Sequence, residues 1–98
     1  MQTAKWTALP LYEGFYEINE AGQIKSLSKR NFNTILSQRI DRGGYYTVRL
    51  FKRGQTTTHW VHRLLATTYI PNPLNKPEVN HKDLNKLNNA LENLEWST

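Results

Sequence analysis

The sequence predicts an α+β fold of mainly short antiparallel strands with one or two short helices, and three observations predict it. Residues 45–51 alternate, with Tyr46, Val48 and Leu50 on one face and Tyr45, Thr47, Arg49 and Phe51 on the other. That is the period-two pattern of a half-buried strand rich in aromatic and β-branched residues. From Val61 the period becomes helical, with Val61, Leu64, Leu65 and Thr68 on one face. Elsewhere Gly, Pro, Asn and Asp interrupt the chain every few residues, which leaves room only for short elements joined by turns.

Taken in order, Trp6, Leu9 and Leu11 lead to a first strand around Phe15, Tyr16 and Ile18, and Asn19-Glu20-Ala21-Gly22 supplies a turn. Residues 24–27 read as the return strand, residues 28–34 as a polar loop carrying Lys29 and Arg30, and residues 36–40 as a third short strand. Asp41-Arg42-Gly43-Gly44 is a strong turn signal, because adjacent glycines tolerate positive φ. Residues 45–51 and 56–60 then form a hairpin around Lys52-Arg53-Gly54-Gln55. The helix covers residues 62–69 and stops before Pro71 and Pro73, which cannot continue it. Residues 72–77 are an irregular connector and residues 78–81 a short extended segment. An Asn-rich stretch, one helical turn at residues 90–94 and a last strand at Leu94-Glu95-Trp96 complete the chain.

A chain of 98 residues with three Trp, five Tyr and three Phe holds enough apolar surface for one small domain, or for two very small modules sharing a core. The Trp side chains are expected in that core, and of Tyr45 and Tyr46 one is expected inside and one outside. The absence of Cys excludes disulfides and thiolate zinc sites. His59 and His62 are three apart but lack a third ligand nearby, so no zinc site is expected there either. No apolar run approaches the roughly 20 residues a membrane helix needs, and the first ten residues lack a signal-peptide core. A soluble, cytoplasmic protein with no membrane partner is the expectation.

Charge narrows the partners. The net charge of +5 is concentrated: residues 25–63 carry nine basic residues against Asp41 alone, while both flanks are mildly acidic. A basic centre of this kind suits a polyanion such as nucleic acid. Contact is expected from Lys29, Arg30, Arg39, Arg42, Arg49, Lys52 and Arg53, the last two on the hairpin turn, since a β-ribbon can enter a groove or follow phosphates.

The densest chemistry lies in Val79-Asn80-His81-Lys82-Asp83 with Asn85, Asn88, Asn89 and Asn93. A fixed imidazole can take a proton from water. A neighbouring amide or carboxylate oxygen can hold a hard divalent cation, and Asn side chains can bond the backbone of an irregular loop.

The ordered run Val61-His62-Arg63-Leu64-Leu65-Ala66, Tyr69-Ile70-Pro71-Asn72-Pro73, Asn75-Lys76-Pro77, Asn80-His81-Lys82-Asp83, Asn88-Asn89 and Glu92-Asn93-Leu94-Glu95-Trp96 resembles the HNH endonucleases of bacteriophages and mobile introns. Trp6, Leu11-Tyr12-Glu13-Gly14-Phe15-Tyr16-Glu17-Ile18-Asn19, Gly22, Ile24 and Ser26-Leu27 resemble a nuclease-associated modular DNA-binding domain that often precedes them. The resemblance spans residues 6–98. It implies a β-rich DNA-binding module over residues 1–58, followed by a ββα-metal (HNH) motif over residues 59–98.

In that motif His81 matches the general base, Asn80 the ligand of one divalent metal ion, Mg²⁺ or Mn²⁺, and Asn93 the central Asn that braces the loop. Lys82 and Lys86 would steady backbone phosphates. The family's turn usually has Gly where this chain has Leu84. Its final helix, which carries a further metal ligand, would begin where this sequence stops, so the motif is expected to be an incomplete half-site. The implied function is divalent-metal-dependent cleavage of double-stranded DNA, with nicking the expected form, by a phage-encoded protein in the bacterial cytoplasm. The alternative is a catalytically silent binding protein that keeps the fold and holds DNA or inhibits a host protein.

Overall fold

Tight turns at positive φ set the strand pairing in this computed structural model, which describes residues 5–98. Strands β1 (Thr7–Ala8), β2 (Tyr16–Ile18) and β3 (Ile24–Ser26) form an antiparallel sheet in that order. The β2–β3 turn is closed by Asn19, whose Oδ1 accepts the backbone N–H groups of Ala21 and Gln23 at 3.1 and 3.0 Å. Gly22 is required there twice over: its φ is 85°, and a Cβ would lie 3.3 Å from Leu65 Cδ1.

The second sheet has the order β4 (Arg39–Ile40), β5 (Tyr46–Lys52), β6 (Gln55–Trp60), again antiparallel. Arg53 and Gly54 turn the hairpin with φ of 51° and 83°, the double positive φ of a type I′ turn, whose twist matches that of the strands. The strand expected over residues 36–40 shrinks to its last two residues. Leu36 donates its N–H to the Ile24 carbonyl instead, and the Gln38 side chain bonds the Gly22 carbonyl at 2.7 Å, so the approach to β4 is tied to the first sheet.

Helix α1 (Val61–Tyr69) follows β6 directly and buries Val61, His62, Leu65 and Ala66. Ile70 is already extended, as the residue before a proline prefers, and Pro71 ends the helix. Strands β7 (Glu78–His81) and β8 (Leu94–Ser97) pair antiparallel, with a 3₁₀ turn at Leu91–Asn93 leading into β8.

One core serves all three sheets. Leu9, Ile18, Ile24, Val48, Leu50, Val61, Leu65 and Leu94 pack together, each at most 3% exposed, and each such side chain contributes about 1.5–3 kcal/mol by leaving water. Polar tethers set the angle of the β7–β8 pair on the helix. Trp96 Nε1 donates to the Ile70 carbonyl at 2.9 Å, and Arg63 Nη1 donates to the Pro77 carbonyl at 2.8 Å with its guanidinium over the Trp96 ring.

The fold is α+β. Trp6 and Trp96 are half-buried, whereas Trp60 departs from the expected core position and is 46% exposed, because its indole N–H reaches out to the Asp41 carboxylate at 2.9 Å. No helix among the described residues is long and apolar enough to cross a membrane.

Candidate active site on the β7–β8 pair

His81, the last residue of β7, is 5% exposed and pairs across the sheet with Leu94. Its Nε2 lies 2.8 Å from Asn89 Oδ1. An amide oxygen only accepts, so Nε2 carries the hydrogen and the lone pair is left on Nδ1. Asn80, one residue earlier, pairs with Glu95 of β8 and donates its Nδ2 to Glu95 Oε2 at 2.9 Å. The Asn80 side-chain oxygen, Oδ1, makes no hydrogen bond to another described residue.

Residues 82–90 have no strand or helix to satisfy their backbone, and their own side chains do it instead. Asn93, 8% exposed, accepts the Asp83 N–H on its Oδ1 at 3.0 Å, and its Nδ2 donates to Asp83 Oδ1 and to the Asn88 carbonyl. Asp83 also accepts from the Asn85 N–H and from Asn88 Nδ2, both at 2.8 Å. These donors, led by the Asn88 amide, hold its carboxyl below the usual carboxylate range. Leu84 holds the turn at φ 65°, with its N–H on the His81 carbonyl.

Aromatic rings wall the other side of His81. The His62 ring centroid is 4.8 Å from that of His81 and 5.0 Å from Tyr45, and Trp60 stacks on His62 at 5.7 Å. His62 is 5% exposed and its Nδ1 has no hydrogen-bond partner. Burial first, then the His81 and Arg63 charges, push its pKa down to about 4, so its ring is neutral at pH 7. His59 points elsewhere, to Tyr12 and Thr57 at 3.0 and 2.8 Å.

The expected DNA-contact residues separate into groups. Arg39, Thr47 and Trp60 form one cross-strand row on the outer face of the second sheet, and Arg49–Thr58 and Phe51–Thr56 form the next two. Arg39 and Arg49 are exposed on that face, with Arg42 and Arg53 exposed on the turns at its ends. Lys29 and Arg30 lie exposed in the loop after β3, outside these rows in the strand pairing. Lys52 is partly used at home, bonding the Leu11 carbonyl and lying over the Tyr12 and Phe15 rings. Lys82 is exposed next to His81, whereas Lys86 bonds the Gly43 carbonyl at 2.7 Å and lies over Tyr45.

Asn93 is bonded into the loop that follows His81, while Asn80, next to His81 in the strand, bonds Glu95; Asp83, Asn89, Glu95 and the Tyr45–His62–Trp60 wall take parts that were not foreseen. Their only advance signals were the Asn-rich stretch and the two closely spaced histidines. Among the described residues no three His, Cys, Asp or Glu side chains converge on a point. The unbonded amide oxygen of Asn80, whose NH₂ end is taken up by Glu95, suits a hard, oxygen-ligated cation that keeps most of its waters, as Mg²⁺ does.

The sequence profile described as HNH endonuclease matches residues 59–98, and that of the NUMOD4 motif matches residues 5–51. The chain carries an HNH endonuclease motif behind a NUMOD4 motif. Among similar proteins is the uncharacterized HNH endonuclease L245 of Acanthamoeba polyphaga mimivirus, 45% identical over 85% of this chain and 24% of its own length. DNA endonuclease I-HmuI of Bacillus phage SP01 is 35% identical over 96% of this chain and 52% of its own. H-N-H endonuclease F-TflII of Escherichia phage T5 is 32% identical over 96% and 48%. The solved structure titled "DNA binding and cleavage by the HNH homing endonuclease I-HmuI" superposes on 96% of this chain and 52% of that one, with TM-score 0.83 and 36% identity. The chain therefore spans about half the length of the two phage endonucleases and about a quarter of the mimivirus one.

Proposed function

We propose that this chain is the DNA-docking and hydrolytic part of a divalent-metal-dependent HNH nuclease that nicks double-stranded DNA. Residues 1–58 serve as the docking module, of which the first four lie outside the described residues, and residues 59–98 as the hydrolytic one. The observation that carries the reading is the 2.8 Å contact of His81 Nε2 with Asn89 Oδ1: an Nε2–H given to that oxygen leaves Nδ1 as the base at the mouth of a braced loop.

In this reading His81 Nδ1 takes a proton from a water as its oxygen attacks the phosphorus. One P–O ester bond breaks, and the leaving oxygen takes a proton from solvent. Asn93 holds the loop so that the imidazole keeps its position, and the Tyr45–His62–Trp60 wall fixes the ring plane. Asn80 would hold the divalent ion, which supplies positive charge beside the phosphate oxygens. Lys82 lies exposed beside His81, within reach of a neighbouring phosphate. Arg39, Arg42, Arg49 and Arg53 place the duplex on the outer sheet face, while Lys29, Arg30, Lys52 and Lys86 add positive charge around it. The partner is duplex DNA, and the place of action is the cytoplasm of a bacterial host, as suits a phage endonuclease. Relatives named as DNA endonucleases support the reading.

The test is conversion of supercoiled plasmid to open circles with Mg²⁺ or Mn²⁺, by the chain and by His81→Ala. The expected result is metal-dependent nicking that falls by roughly 10²–10⁴-fold in the variant, the usual worth of a general base. A folded chain that binds duplex and never nicks it overturns hydrolysis and leaves a binding protein.

A further inference from the structure

The contact between Asn80 and Glu95 has chemical content beyond holding two strands together. An amide side chain presents either oxygen or NH₂ to its surroundings, two ends of nearly the same shape and opposite polarity. Only the oxygen can face a cation. Something in the protein must choose the end, or the site is right only part of the time.

Glu95 makes that choice. Its register partner in the β7–β8 pair is Asn80, and Glu95 Oε2 lies 2.9 Å from Asn80 Nδ2. An ionised carboxylate only accepts hydrogen bonds, so the NH₂ end is the one that satisfies it; the reversed amide would set oxygen against oxygen. Asn80 Oδ1 is consequently the free end, with no bond to another described residue. Glu95 is exposed and packs into no core, and it forms no ion pair with another described residue, so neither burial nor a basic partner explains its position.

We propose that Glu95 is a positioning residue. It fixes the Asn80 amide by accepting from Nδ2 and so presents Oδ1 to the divalent cation. This rests on the nuclease reading above and adds to it a residue acting through the ligand rather than on the phosphate.

The experiment is a cycle of Mn²⁺ affinities, read by electron paramagnetic resonance of free Mn²⁺, on the chain, Glu95→Gln, Asn80→Asp and the double variant. Circular dichroism checks the fold of each. A glutamine at 95 can offer either amide end, so the choice is lost. Glu95→Gln is expected to raise the Mn²⁺ Kd about two- to threefold, since an amide free to present either end offers its oxygen about half the time. In the Asn80→Asp background both ends of the ligand are oxygens and no choice is needed. There Glu95→Gln is expected to leave Kd unchanged, since either end of the ligand presents oxygen.

Equal weakening in both backgrounds overturns the proposal, since it makes Glu95 a source of charge or a ligand. No weakening in either also overturns it. A metal-free readout runs alongside: the Asn80 side-chain NH₂ pair in a ¹⁵N–¹H spectrum should move on Glu95→Gln, and a pair that stays put counts against the contact. Failure of the unaltered chain to bind Mn²⁺ at millimolar concentration overturns the nuclease reading and this proposal together. Intact binding that ignores Glu95 overturns only the latter.

Discussion

The outer face of the β4–β5–β6 sheet and the loop between β7 and β8 are both polar in sequence, and their side chains do opposite things. On the sheet, backbone groups are satisfied by the strand ladder, so Arg39 and Arg49 are exposed and form no side-chain bond with another described residue. In the loop there is no ladder, and Asp83, Asn85, Asn88 and Asn93 are taken up by neighbouring N–H and C=O groups. Where regular structure supplies the backbone bonds, polar side chains are free for a partner outside. Where it does not, they become the scaffold. Lys86 and Lys82 show that the distinction follows environment rather than residue type, the first bonded to Gly43 and the second exposed two residues from Asn80.

The largest effect should come from exchanging one residue of each kind for alanine. Asn93→Ala removes three hydrogen bonds from a side chain 8% exposed, at an expected cost of about 3 kcal/mol in urea unfolding, and nicking should vanish with it. Arg49→Ala should leave stability within about 0.5 kcal/mol, as exposed substitutions usually do. Its effect should instead lower the slope of log K against log salt for duplex binding by about one phosphate contact. Equal stability losses in the two variants, or a salt slope indifferent to Arg49, would break the contrast.

A second test uses the buried ring of His62, whose Nδ1 has no bonding partner among the described residues. His62 has its pKa lowered from 6.5 to about 4, with burial the leading cause. The unfolded chain therefore takes up a proton on this residue between those two values while the folded chain does not. His62's contribution is complete above pH 6.5 and is lost as pH falls toward 4, on the order of 2–3 kcal/mol in all. His59, also lowered by burial, pushes in the same direction. Asp41, held down chiefly by the Trp60 indole, and Asp83 lose their contributions only below their ordinary value of 3.8. Thermal melts across pH 7 to 4.5 should show the fall, and His62→Phe should flatten most of it. An unchanged slope in that variant would show that the ring is protonated in the folded site.

Much of this was legible in residue order. The alternation over residues 45–51, the helical run from Val61 and the stop at Pro71 set three elements within a residue or so, because period and proline chemistry are local. Asn80, His81 and Asn93 were singled out through resemblance. Illegible was whatever depends on long-range register. That Glu95 meets Asn80 follows from a one-residue choice in pairing β7 with β8, and that Tyr45 packs on His81 rather than facing a groove follows from how the second sheet meets the helix. The exposure of Trp60 was missed for the same reason, since its partner Asp41 is remote in sequence.

The smallest effect concerns how each region makes its turn. The hairpin turn sets Gly54 at one of its two positive-φ positions, whereas the loop holds Leu84 at φ 65°, a conformation that costs an L-residue with a bulky side chain about 1 kcal/mol or more. Leu84 is 82% exposed, so its side chain repays little of that through burial. Leu84→Gly removes the strain and also adds freedom to the unfolded chain, which takes back part of the gain. The net expectation is about 0.5–1 kcal/mol of added stability in urea unfolding, with nicking unchanged because the Leu84 N–H to His81 carbonyl bond is a backbone contact that glycine keeps. A loss of stability would mean that the leucine side chain braces the loop, making it part of the scaffold. Gained stability with lost nicking would place it against the DNA, among the free groups of the sheet face.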